Sequence, residues 1–198
     1  MQKTLARDDE PLVSARASVT PVTRRSTDPR VVFLVGFMGA GKTTVGRALA
    51  QRLGWTFEDL DDRIELLQRR SIAEIFRESG EAEFRRAETA ALRQVISEQG
   101  SSPRVVALGG GAFVQAENVA LLDGAGVPVV FLDGPAQELF RRCETEPRER
   151  PLRGDQTQFC ELYNQRRPYY LKALWHIETA GKDQATIAAE VACSLGLE

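Results

Sequence analysis

Cysteine, histidine, long apolar runs and any excess of one charge are scarce in this chain of 198 residues. Each scarcity excludes something. The three cysteines, Cys143, Cys160 and Cys193, are odd in number, widely spaced and free of metal-ligand spacing. That argues against a disulfide framework and a zinc site, and for free thiols in a reducing cytoplasm. Cys143 and Cys160 read as packing residues. The single histidine, His176, stands beside Trp175 in a strand-like segment and reads as structural. No apolar run approaches the ~18 residues of a membrane span, so no membrane partner is expected. Lysine and arginine number 26 against 28 acidic residues, a formal net charge of −2. No basic footprint for nucleic acid exists, and the arginines must be read locally. With 42% hydrophobic and 27% charged residues the chain reads as a soluble globular protein, long enough for one core and a tail. No internal repeat is present.

Residues 1–29 are dominated by Ser, Thr, Pro, Arg and Asp without a sustained period, which predicts a disordered extension. Asp8, Asp9 and Glu10 argue against a transit peptide, and the lack of an apolar core segment argues against secretion. From Arg30 onward short apolar runs alternate with helical patterns, the signature of α/β folds with a parallel sheet. Strands are predicted near 31–35, 56–58, 104–108, 127–132 and 175–178. Val45, Leu49 and Leu53 mark a first helix, and Phe84, Ala87, Ala91 and Val95 a later one. Ser71 with Glu74 forms a capping box, and Pro135 is placed to open the helix carrying Leu139 and Phe140.

The run VVFLVGFMGAGKTT, residues 31–44, passes from an apolar strand into a glycine loop and then a helix. Gly36, Gly41, Lys42 and Thr43 satisfy G-x-x-x-x-G-K-S/T at every defined position. Glycine lets backbone N–H groups converge on phosphate oxygens at a helix N-terminus. Gly39, Ala40, Gly41, Lys42, Thr43 and Thr44 are therefore the candidate ATP-binding residues, with Lys42 on the β- and γ-phosphates and the Thr43 hydroxyl on Mg2+.

Four further polar clusters bear on the second substrate. Asp59-Leu60-Asp61-Asp62 follows a short strand. In an extended segment Asp59 and Asp61 would share one side, one supporting a metal ion and the other orienting a substrate hydroxyl. The alternative is acidic residues at a helix N-terminus, which suits Asp62 best. GEAEFRRAE, residues 80–88, sets Arg85 and Arg86 among glutamates, as a solvated helix face also would. Gly109, Gly110 and Gly111 end an apolar run and imply backbone close to a ligand. The arginine-rich stretch 141–153 contains ETEPRERPLRGDQ, an aperiodic segment that reads as a flap over the site or as a polar surface loop.

Together GFMGAGKTTVG, DLDDRIE, SIAEIF, GEAEFRRAE, LGGGA, RERPL and RRPYY resemble shikimate kinases from about Val31 to the C-terminus. The resemblance implies a P-loop NTPase of the nucleoside-monophosphate-kinase-like type: a three-layer sandwich with a five-stranded parallel sheet of order 2-3-1-4-5 over residues 30–198 and a small lid about 145–156. It implies phosphorylation of the 3-hydroxyl of shikimate by ATP, with Mg2+, in a cytoplasmic monomer. Carried over by motif, Asp59 supports Mg2+, Asp61 binds and polarises the attacking hydroxyl, and Arg85 and Arg166 grip the carboxylate, with Arg167 a one-residue alternative. The Gly110 amide meets a hydroxyl, Phe76 and Phe84 wall the ring, Arg150 reaches the transferred phosphate and Arg142 lies against adenine. Lys42, Asp61 and Arg150 would be the catalytic set. A gluconate-kinase-like enzyme, an adenylate kinase and a ligand sensor without turnover remain as alternatives. Adenylate kinases usually follow the loop lysine with glycine, whereas Thr43 and Thr44 stand here.

Overall fold

The structure, a computed structural model, describes residues 29–98, 102–145 and 154–197. Most of the tail predicted at 1–29 and most of the lid, Arg150 included, lie outside the described residues. The rest alternates strand and helix: β1 (Val31–Val35), α1 (Lys42–Leu53), β2 (Thr56–Asp59), α2 (Leu60–Gln68), α3 (Ile72–Ser97), β3 (Arg104–Ala107), α4 (Ala116–Ala125), β4 (Val129–Asp133), α5 (Ala136–Thr145), α6 (Gln156–Tyr170), β5 (Trp175–Glu178) and α7 (Gln184–Leu195). The five strands form one parallel sheet in the order β2-β3-β1-β4-β5, as the sequence resemblance implies.

All five residues of β1 are buried, which a central parallel strand needs because helices cover both faces. Helix α1 packs on α7, and Val45 and Leu49 of the first and Ile187 and Val191 of the second are all buried. The apolar run at 127–132 becomes strand two residues late. Pro128 has no N–H for the ladder and contributes only its carbonyl, which accepts from the Phe33 amide. Ser71 and Glu74 form the capping box of α3. Gly80 then breaks that helix at φ 79° and ψ 172°, a conformation open essentially to glycine. The break aims Phe76 and Phe84 toward one another, with ring centroids 4.8 Å apart.

The helix after the segment read as a lid, about 145–156, opens on a cap. Asp155 accepts from the Gln158 amide and Gln158 from the Asp155 amide, a reciprocal cap that starts α6 at Gln156. The carboxyl ends of β1, β2, β3 and β4 carry the glycine loop, Asp59, the triple glycine and Asp133. The loops after β1 and β3 leave the sheet where its order reverses, the position at which such sheets form a ligand crevice.

Candidate active site

A cavity of about 390 Å³ opens at that crevice, lined by the glycine loop, Asp59, Asp61, the triple glycine, Arg85 and Arg166. In the glycine loop Gly39 (φ 77°) and Gly41 (φ 84°) hold left-handed conformations, and Gly41 precedes α1 with no side-chain cap. The first-turn N–H groups of α1 therefore have no side-chain competitor for an anion. Lys42 Nζ donates to the carbonyls of Gly36 at 2.9 Å and Phe37 at 3.1 Å, which keeps its ammonium on the loop. Ala40 is buried, while Thr44 lines the cavity.

Thr43 Oγ1 donates to Asp59 Oδ2 at 2.9 Å. Asp59 is buried, and its other oxygen accepts from the Asp61 amide at 3.1 Å. A hydroxyl beside a carboxylate is an all-oxygen pair that suits a small hard cation, which keeps waters and phosphates as its remaining ligands. Thr43 and Asp59 thus fit Mg2+. The shared extended side expected for Asp59 and Asp61 is corrected here. Asp59 ends β2 and caps α2, so Asp61 and Asp62 occupy that helix's first turn. The reversal of direction still leaves Asp59 and Asp61 on the cavity, while Asp62 is exposed and absent from its lining.

Arg85 donates to Glu81 Oε1 at 2.9 Å and to Glu88 Oε2 at 2.9 Å, and its Cζ lies 5.0 Å from the Phe84 ring centroid. Burial works against its charge, but the two glutamates outweigh burial and hold its pKa above the ordinary value. The solvated-face reading is right about the pairing, although Arg85 also lines the cavity. Arg86 pairs outward with Glu83 and is exposed.

Glu88 was not singled out from the sequence. It is 0% exposed, its Oε2 also accepts from Gln115 Nε2 at 2.6 Å, and its Oε1 has no hydrogen-bond partner. Burial pushes its pKa up to about 7, against the pull of Arg85 and with the help of the Asp61 charge. The signal was legible: Glu88 falls one turn after Phe84 on the apolar stripe that continues to Ala91 and Val95.

The triple glycine has a steric reason. A Cβ on Gly109 would meet Asp61 Oδ1 at 2.7 Å and Glu88 Oε1 at 3.0 Å, and one on Gly111 would meet Arg85 Cζ at 2.7 Å. At Gly110 the nearest atoms would be 3.7 Å away. The Gly110 carbonyl accepts from the buried Tyr170 hydroxyl and from Arg166 Nη1 at 3.4 Å. Arg166 lines the cavity, whereas Arg167 turns to Asp133 at 2.6 Å.

Arg142 stands apart from these groups. It sits on α5, donating to Glu138 at 2.5 Å and to the Thr179 carbonyl at 3.4 Å, and does not line the cavity. Its helix nevertheless packs on the glycine loop, since a Cβ on Gly39 would come within 3.0 Å of Cys143 Sγ. His176 meets the Ala173 carbonyl at 2.6 Å and the edge of Phe131, away from the cavity. Among the described residues no helix is long and apolar enough to cross a membrane, and no cluster of three His, Cys, Asp or Glu could hold a metal ion.

The family model for shikimate kinase matches residues 38–195. A shikimate kinase of Persephonella marina is 37% identical over 82% of this chain and 96% of its own length. One from Geobacter sulfurreducens is 43% identical over 84% of this chain and 91% of its own. The solved structure of the Acinetobacter baumannii shikimate kinase, in complex with shikimate, superposes with a TM-score of 0.77 at 36% identity, covering 86% of this chain and 94% of that one.

Proposed function

The chain belongs to the shikimate kinase family, and we propose how its cavity performs that family's reaction. It is a phosphotransferase that moves the γ-phosphoryl group of ATP to the 3-hydroxyl of shikimate, on the route to chorismate and the aromatic amino acids. The observation that carries the reading is one continuous cavity lined both by the phosphate-binding groups Lys42 and Thr43 and by two arginines with an aspartate.

Shikimate has one carboxylate and three hydroxyls. Arg85 and Arg166 supply planar two-pronged donors for the carboxylate. Asp61 orients the 3-hydroxyl and accepts its proton late, because a loose phosphoryl-transfer transition state asks little of a base. The Gly110 amide serves a ring hydroxyl, and Phe76 with Phe84 walls the ring. Lys42 leaves the loop carbonyls for the β- and γ-phosphates. Thr43 and Asp59 would hold Mg2+, which when bound neutralises charge on those phosphates. We assign Arg150 to the transferred phosphoryl group and Arg142 to the nucleotide side, since α5 packs on the glycine loop.

We also propose a cytoplasmic monomer whose kinase domain starts at Arg30, because β1 follows directly at Val31 and the cavity lining comes from residues after it. A gluconate-kinase-like enzyme and a non-catalytic sensor are not favoured: the family match runs over most of the chain, and Lys42 and Asp61 are both retained. A coupled ADP-release assay with shikimate, gluconate and AMP decides between substrates. Turnover with shikimate alone is expected; preference for either of the others overturns the reading.

A further inference from the structure

Helix α6 sends two adjacent arginines to different places. Arg166 enters the cavity, while Arg167, about 100° further round the helix, forks onto Asp133 at the end of β4. Its Nη2 donates to Oδ2 at 2.6 Å and its Nε to Oδ1 at 3.4 Å. Tyr163, one turn earlier on the same face, donates to the Gly134 carbonyl at 3.0 Å and reaches Asp133 Oδ1 at 3.3 Å. One carboxylate thus holds two side chains of α6.

Asp133 is itself a fixed post. Its carbonyl accepts from the Thr179 amide at 2.7 Å and from the Thr179 hydroxyl at 3.0 Å, and Thr179 is fully buried. The helix needs such a post at this point. Pro168 lies inside α6 and offers no N–H to the carbonyl four residues back, so the turn carrying both arginines lacks a helical bond. Its rotation has to come from tertiary contacts, and rotation decides whether the Arg166 guanidinium can meet a carboxylate squarely.

We propose that Asp133 is a positioning residue for the acid substrate: by clamping Arg167 and Tyr163 it sets the rotation of α6 that presents Arg166 to the cavity. Asp133 acts without touching substrate. The inference rests on the carboxylate contact assigned to Arg166 above.

The test uses the full chain with Asp133→Asn, Arg167→Gln, the double variant and Asp133→Glu, measuring kcat, both KM values and the melting temperature. Each single change to an amide is expected to raise the KM for shikimate by about tenfold, leaving kcat and the KM for ATP unchanged. The double variant is expected to be no worse than Asp133→Asn alone, because Arg167 acts through that carboxylate. Asp133→Glu, which keeps the charge, is expected to recover most of the loss. An unchanged KM for shikimate, additive defects, or a uniform decline that follows the melting temperature would each overturn the proposal. Arg167→Gln alters a side chain that is 40% exposed, so it carries the test if Asp133→Asn does not fold. Arg166→Ala separates the two readings. If it leaves the KM for shikimate at the wild-type value, the carboxylate contact fails; if it raises that KM while the Asp133 and Arg167 variants do not, only the clamp fails.

Discussion

Arg85 and Glu88 stand one turn apart on α3 and share an ion pair at 2.9 Å in which the acid is wholly buried and the base opens onto the cavity. Glu88 orients the guanidinium and, once ionised above about pH 7, supplies its counter-charge. The remaining donors of Arg85 can then meet a substrate carboxylate without the arginine folding away.

Arg85→Ala removes the cavity-facing member of that pair and is expected to cost about 2–5 kcal/mol in kcat/KM for shikimate. Arg85→Lys should fall between it and wild type, because an ammonium supplies charge without the fork. Arg86→Ala is the control. Its pair with Glu83 is exposed and worth at most about 0.5 kcal/mol, so steady-state kinetics should not change.

Glu88 makes stability depend on pH. Its pKa rises from 4.5 in the open chain to about 7 in the fold, so between those values the native state holds a proton that the unfolded chain has released. Its contribution is therefore fully present below about pH 4.5 and is lost as pH rises through 7. Glu88→Gln has no proton to lose. Denaturant titrations should show the variant gaining on wild type across that window and levelling off about 3 kcal/mol ahead. A difference that does not vary with pH would mean Glu88 is ionised throughout.

Lys42→Ala should lower kcat by about a hundredfold or more, while calorimetry still detects shikimate. The ammonium is bonded to the Gly36 and Phe37 carbonyls of the glycine loop, whereas the carboxylate is assigned to Arg85 and Arg166 on α3 and α6. Loss of shikimate binding in this variant would contradict the separation of the two halves.

The three glycines should respond unequally to alanine. At Gly111 the new methyl would displace the Arg85 guanidinium, and the KM for shikimate should rise about tenfold. At Gly110 the nearest atoms would be 3.7 Å and 3.8 Å away, so the melting temperature should hold. A KM increase there without loss of stability would report substrate passing over Gly110.

What could be read before the fold was known is what short stretches encode. The glycine loop and the Ser71 capping box depend on residues within one or two turns, and the five strands announce themselves as apolar runs because the sheet is covered on both faces. Reasoning on local period went astray where backbone direction changes. An extended register for Asp59 and Asp61 fails at the β2 to α2 reversal, where Asp59 becomes the cap of α2.

By itself, then, the sequence determined the phosphate loop, the parallel α/β order and the family, since each resides in spacing along the chain. Only the tertiary structure decided which polar groups share a cavity. Glu88 is charged by type but takes its pKa from three elements closing around it. Arg166 and Arg167 are chemically identical neighbours, and they part company because helix rotation sends one to the Gly110 carbonyl and the other to Asp133. Arg142 meets Glu138 and the Thr179 carbonyl from a helix that packs on the glycine loop, a placement that spacing along the chain does not give. Burial and direction arise from contacts between residues far apart in the chain, and no local pattern carries them.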